Sequence, residues 1–516
     1  MSEGSSNPAK TGVRPKRPHR LRRYCAWGCG LLVLMLVGVI ALALLLLNRV
    51  PKTYPPVTDP IRAPNVNSKL GGGLDGFASP YLGHTGSWDG KGGGIFGTSK
   101  IPDLEVERAM GLRWTFMPVH WRAMEPDGPV NLARDTPAAW RALDAFVIAA
   151  HERGLNILMQ APVVGGNAGG PPKWASRREP GKSASANMEA AADFAAKLAS
   201  RYSPRGTLAR NQGWTGYGVR AWELDNEPES YRTSWKGQAG DYAEFVTKAA
   251  ARIKQVDPQV LILTPAIAGG GHALKWVAKA LDAQGLAGSP AFRHNGVPYS
   301  IGRPTDVVSF HCYEGLETAF SKDGWTIERD FDDLRSVFQK WEKQSPQFSY
   351  DRKEEYWQTE GNYDFLGVLS KERRAAWRFQ FFTRAFAAGI RKVMVMDASK
   401  PEQSAVRAYV RVLPNPFPML LATKEISIAH GQAVAFIHAD STESNARRVW
   451  IVWALAGTGD AIVDIPARAE SAQIVFLDGH SEKVDATSQR IRLKLKGDLK
   501  MPPPVLVVET PASRGR

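Results

Sequence analysis

Residues 221–230 read AWELDNEPES. One apolar anchor, Trp222, precedes four carboxylates, Glu223, Asp225, Glu227 and Glu229, and an Asn-Glu-Pro run. Taken alone, this is the polar end of a strand. Its meaning depends on its place in the order of elements and on whether a second carboxylate accompanies it.

Short apolar stretches alternate with amphipathic helical patterns on both sides of it. Strands are predicted at Gly73–Ala78, Trp114–Val119, Asn156–Gln160, Ala221–Leu224, Val260–Pro265, Asp306–Phe310, Glu355–Thr359 and Lys392–Met396. Between them, Trp140, Leu143, Val147 and Ala150 recur on one helical face, opened by Thr136 as cap and Pro137 at the first helical position, and closed by Gly154. Similar stripes run through Ala191–Tyr202, Tyr242–Ile253 and Leu274–Leu281, and Lys371–Ala388 is a long helix before the last strand. Eight strand–helix units predict an α/β fold, a closed (β/α)8 TIM barrel over residues 71–424. A doubly wound open sheet needs a glycine-rich phosphate turn after an early strand. The clusters at residues 90–94 and 165–172 lack that form and also lack a P-loop ending.

Beyond residue 425 the long helical patterns stop. Ala433–His438, Arg448–Ala454, Asp460–Ile465, Ala472–Leu477, Arg490–Leu495 and Val505–Glu509 read as closely spaced strands. They predict a C-terminal all-β sandwich over 425–516.

The N-terminal end differs from both. Residues 1–24 are basic, with seven Lys/Arg up to residue 23 against one acid, Glu3, in a chain of net charge +15. From Ala26 to Leu47 no charge occurs, and a bilayer core needs about 20 residues. Residues 25–48 are therefore expected to form a transmembrane signal anchor, meeting the lipid bilayer, with the basic tail cytoplasmic and the rest periplasmic or extracellular. Residues 49–70 are proline-rich and read as a linker. Nucleic acid is not an expected partner, because no basic stripe interleaved with aromatics follows the tail. Three cysteines and ten histidines show no metal-ligand spacing, so neither a metal nor a cofactor is expected.

In a (β/α)8 barrel, function sits where the strands end at the C-terminal face. Asn226 and Glu227 follow strand four, and Glu360, in YWQTEGN, follows strand seven. Two carboxylates in one mouth suit glycoside hydrolysis. The retaining form needs them about 5–5.5 Å apart, one as acid/base and one as nucleophile. The stretches WELDNEP and WQTEGN resemble clan A glycoside hydrolases, most closely family 39, with families 5 and 44 as near competitors. The resemblance spans roughly residues 71–510. It implies Glu227 as acid/base, Glu360 as nucleophile, and Asn226 as a ligand of the sugar 2-hydroxyl. It also implies His311 and Tyr313 of SFHCY as the pair beside the nucleophile, and Trp174 and Trp121 as sugar-contacting aromatics. Trp235 and Trp325 are further stacking candidates. Two positions depart from the clan pattern: Phe116 stands where many members carry an arginine, and strand eight, VMVMDAS, lacks the usual tryptophan. The expected function is a membrane-anchored retaining glycosidase acting on a poly- or oligosaccharide. The alternative is a decayed barrel that binds carbohydrate or serves as an export scaffold.

Overall fold

The structure, a computed structural model, describes residues 35–38, 79–85, 103–164, 171–176, 187–229, 239–268, 270–281, 293–294, 297–302, 304–313, 326–344, 355–361, 369–396, 398–439, 447–455, 458–497 and 501–509. Of the expected anchor, residues 35–38 are helical, and Met35, Leu36 and Val37 are exposed. The remainder of that segment, the basic tail and the linker lie outside the described residues. Among the described residues, no helix is long and apolar enough to cross a membrane.

Eight parallel strands form one sheet: β1 Ser79–Thr85, β2 Leu112–His120, β3 Asn156–Val163, β4 Ala221–Glu223, β5 Leu261–Leu263, β6 Val308–His311, β7 Tyr356–Glu360 and β8 Lys392–Met396. They pair in sequence order from β1 to β5 on one side and through β8 and β7 to β6 on the other. The sheet closes between β5 and β6, through the parallel bridges Leu263↔Val307 and Ile267↔Phe310. Asp306 N donates to Ile262 O, and Thr264 N donates to Val307 O. This is the expected (β/α)8 barrel. The first strand lies later than expected, at SPYLGHT, and the GLDGFA stretch at 73–78 falls outside the described residues.

Inward-facing residues fill the barrel: Trp114, Phe116, Leu158, Ala221, Leu261, Leu263, Val307, Trp357 and Met394. Phe116 is thus core, below the mouth. The alternate residues face the helices, which are α1 Leu104–Ala109, α2 Trp121–Met124, α3 Ala138–Glu152, α4 Met188–Tyr202, α5 Thr207–Asn211, α6 Ala239–Val256, α7 Gly270–Leu281, α8 Thr326–Gln344, α9 Lys371–Ala388 and α10 Lys400–Val412. Every residue of the predicted stripes on α3, α4 and α6 is buried. At α3 one detail is corrected. Pro137 is the N-cap and no side chain caps it, so Thr136 does not play that part.

Among the described residues, nine strands follow: β9 Met419–Leu421, β10 Ser427–His430, β11 Ala433–Ala439, β12 Arg448–Ala454, β13 Ala461–Pro466, β14 Ser471–Val475, β15 Ser481–Asp485, β16 Arg490–Leu495 and β17 Val505–Glu509. Six form one sheet in the order β9-β11-β12-β17-β14-β15, and β10-β13-β16 form the other. Burial explains the sequence of β12, RVWIVWA, which is apolar at nearly every position. Val449, Ile451 and Trp453 join the barrel's core cluster, while Trp450, Val452 and Ala454 face the three-stranded sheet. A strand buried on both faces has no polar side to alternate. The outer strand β16, RIRLKL, alternates because only one face is covered. Gln380 of α9 donates to Pro502 O, a polar tie between barrel and sandwich.

Candidate active site

The mouth is built from the ends of β3, β4, β5, β6 and β7. All of β4 is buried, and Glu223 points inward with no exposure. Gln160 of β3 donates through Nε2 to both Glu223 Oε2 (2.9 Å) and Asn226 Oδ1 (3.0 Å), which holds the Asn226 amide by its oxygen. Past β4 the backbone becomes left-handed twice, at Asp225 (φ 73°) and Glu227 (φ 42°). Such a conformation costs about 1–2 kcal/mol for a residue with a Cβ, so surrounding bonds must impose it. Asp225 Oδ1 accepts from Val164 N (3.2 Å) and from Asn226 N (2.8 Å). Glu227 N donates to Ala266 O (2.9 Å), beyond the end of β5. Strained backbone of this kind concentrates at functional sites.

Glu360 reaches the mouth by an irregularity. Trp357 faces inward, so strict alternation would send Glu360 outward to the helices. The β6–β7 register shifts between Phe310↔Gln358 and His311↔Glu360, skipping one β7 residue. A bulge of this type re-aims a side chain. The following Gly361 leaves no room for a Cβ, which would sit 2.4 Å from Cys312 O and from Gln358 Nε2.

His311 joins the two carboxylates. Its fully buried imidazole contacts Glu227 Oε1 through Nδ1 at 2.8 Å and lies 3.7 Å from Glu360 Oε2 through Nε2. Tyr313 donates its hydroxyl to Glu360 Oε1. Burial opposes a charged imidazole here, but Glu360, the hydrogen bond and charge of Glu227, and the charge of Glu223 outweigh it, holding His311 up at about 9. Burial alone pushes the Glu223 carboxyl up, against the pull of His311. Glu227 and Glu360 are partly exposed, at 27% and 19%, and can meet a substrate.

The structure thus brings five of the seven expected site residues together: Asn226, Glu227, His311, Tyr313 and Glu360. Trp174 is half-buried at the rim, its Nε1 donating to Glu125 O (2.8 Å). Trp121 takes another place. It has no exposure, is stacked on Phe194 at 5.6 Å and meets Trp174 edge-on at 5.5 Å. It therefore supports Trp174 and offers no face to a sugar. Glu125, buried, accepts from Trp121 Nε1 (3.1 Å), Val130 N (2.9 Å) and Lys197, and holds this wall. Trp235 and Trp325 lie outside the described residues. Sequence reasoning missed Gln160, the polar residue ending an apolar strand, and gave Glu229 no part in the site. Glu229 is in fact buried, and Ala268 N donates to its Oε1.

No protein-family model matches the chain, and no curated protein matches it. Solved structures do. One is a family 39 glycoside hydrolase from the gut symbiont Bacteroides cellulosilyticus WH2, with a TM-score of 0.56 and 14% identity, covering 84% of this chain and 82% of that one. Another is a family 51 alpha-L-arabinofuranosidase from Bifidobacterium longum, with a TM-score of 0.50 and 11% identity, covering 84% and 97%. At these identities the likeness is one of architecture. In fold, this chain is a (β/α)8 barrel followed by a β-sandwich, an architecture similar to that of these two glycoside hydrolases.

Proposed function

We propose that the chain is a retaining glycoside hydrolase that cleaves a poly- or oligosaccharide by double displacement. The observation that supports this is the pair of carboxylates, Glu227 and Glu360, at the ends of β4 and β7, both contacting one buried imidazole. In the first step the Glu360 carboxylate attacks the anomeric carbon. Glu227 gives its proton to the departing glycosidic oxygen, and a glycosyl-enzyme ester forms on Glu360. In the second step the Glu227 carboxylate takes a proton from water as the water attacks that carbon, freeing the sugar and restoring Glu360. Tyr313 and His311 orient Glu360 through the contacts described above. Asn226, held by Gln160, is positioned for the 2-hydroxyl, and Trp174 for stacking on a sugar face.

We also propose that residues 25–48 anchor the chain in a bilayer, with the tail at 1–24 cytoplasmic and the barrel outside. An uncharged run of this length flanked by a basic tail supports it. A barrel so tethered would process polysaccharide as it emerges. If removing residues 1–48 left polymer processing in cells unchanged, the anchor would have no such role.

A panel of 2-fluoro-glycosides with mass mapping tests the chemistry. Covalent label on Glu360 is expected, and the sugar that labels identifies the specificity. A chain that takes no label and hydrolyses no glycan while still binding one would instead be a carbohydrate-binding barrel.

A further inference from the structure

The proposed acid meets an electrostatic difficulty. A general acid must carry its proton at the working pH, yet Glu227 is hydrogen-bonded to the His311 imidazole, whose positive charge favours the carboxylate. A negative charge on the other side would offset this. Glu229 lies two residues on, across Pro228. It is 3% exposed, against 27% for the side chain of Glu227. Its Oε1 accepts from Ala268 N, and its Oε2 is buried with no hydrogen-bond partner among the described residues.

The segment Ala266–Ala268, extending β5, joins these groups. Ala266 O accepts from Glu227 N, Ile267 O accepts from His311 N, and Ala268 N donates to Glu229. One three-residue backbone therefore sets the positions of Glu227, His311 and Glu229 together. We propose that Glu229 is a positioning residue for Glu227: its carboxylate pins the left-handed turn to the β5 extension, and its charge keeps the Glu227 proton in place against His311. This rests on the reading of Glu227 as acid/base.

Burial raises the Glu229 carboxyl to about 7, with the charge of Glu227 adding to the rise and the Ala268 bond and His311 opposing it. The two carboxyls are thus coupled. Tyr242 of α6 also feels the charge of Glu229, with those of Asp225 and Glu223, and donates to Leu224 O.

The test is a pH titration of the full chain carrying 13C-carboxyl glutamate, for wild type, E229Q, E229D and E227Q, read beside the pH profile of glycoside cleavage. Gln is nearly isosteric and can still accept from Ala268 N. In E229Q the Glu227 signal, assigned by its loss in E227Q, should move to lower pH by about one unit. The alkaline limb of cleavage should move with it. E229D keeps the charge and should retain most of the wild-type position, which holds the test open if E229Q folds poorly. A Glu227 titration that stays put in E229Q, or that moves equally in E229D, would overturn the proposal. If the wild type cleaves no glycoside, the hydrolase reading fails, while the titration still decides whether Glu229 controls Glu227.

Discussion

The two ends of the barrel each bury an ionisable base, and they treat it in opposite ways. At the mouth, His311 is surrounded by Glu223, Glu227 and Glu360, and its affinity for a proton rises to about 9. At the base, Lys392 begins β8 between two indoles, its Nζ 5.0 Å from the Trp114 ring and 4.9 Å from the Trp357 ring. Burial, only partly offset by the charge of Glu355, holds Lys392 down at about 8. Aromatic faces attract a cation weakly, by about 1–2 kcal/mol, and do not replace lost hydration. Carboxylates do. The mouth is thus arranged to hold charge, and the base to fill space. That matches the general division of such barrels, with function at the C-terminal ends of the strands and stability at the N-terminal ends.

The contrast predicts that changes to the exposed carboxylates at the mouth alter turnover and spare the fold, whereas truncation of the packed indoles at the base does the reverse. The largest effect is expected from Glu360→Gln. Cleavage should fall by about 10^4-fold or more, with a melting temperature close to wild type, as measured by calorimetry beside steady-state kinetics. A large loss of stability instead would make Glu360 part of the framework. Next comes Trp357→Ala at the base. Truncating a buried Trp costs about 3–5 kcal/mol, so denaturant unfolding should shift strongly, and any protein that remains folded should keep its KM.

A third prediction separates the two ends by pH. His311 binds its proton more tightly when folded than its unfolded value of about 6.5. It therefore stabilises fully below pH 6.5, and the benefit is lost as pH rises through 9. The maximum is about 3 kcal/mol. Lys392 binds its proton less tightly when folded, so its penalty is full below pH 8 and is relieved as pH rises towards about 10.4. The stability gap between wild type and His311→Asn should shrink from pH 6.5 to 9. The gap between wild type and Lys392→Met should move in favour of wild type from pH 8 to 10.4. Parallel curves for the two pairs would abolish the distinction between the two ends. The smallest effect is expected at the rim: Trp174→Ala should raise KM by about tenfold, near 1.4 kcal/mol, with kcat little changed. A fall in kcat alone would place Trp174 outside the substrate contacts.

Much of this was legible in the chain. Helix α9 spans Lys371–Ala388 as read, because its ends carry their own signals: Ser370 Oγ accepts from Arg373 N, and Gly389 adopts a left-handed φ of 96°. β8 falls where its apolar run predicts. Three strands of the C-terminal sandwich escaped notice for physical reasons. β9 is three residues long, β10 is exposed throughout, and β15, SEKVD, is a polar edge. Their strand state comes from their partners, as with Met419–Leu421 against His438–Phe436. Trp121 was misjudged because a tryptophan after a barrel strand reads the same whether it faces a sugar or a helix.

Local sequence was enough to order the strands and helices and to mark Glu227 and Glu360 as the carboxylates at two strand ends. Those are matters of periodicity and residue type, which short windows carry. It could not place the carboxylates face to face. Alternation along β7 points Glu360 away from the mouth, and the register shift against β6 that turns it inward depends on a strand some fifty residues earlier in the chain. The left-handed turn at Glu227, the imidazole between the two acids and the buried Glu229 beside them all depend on the backbone that extends β5, between Ala266 and Ala268. Hydrogen bonds across neighbouring strands select those conformations against local preference, so they appear only when the barrel closes.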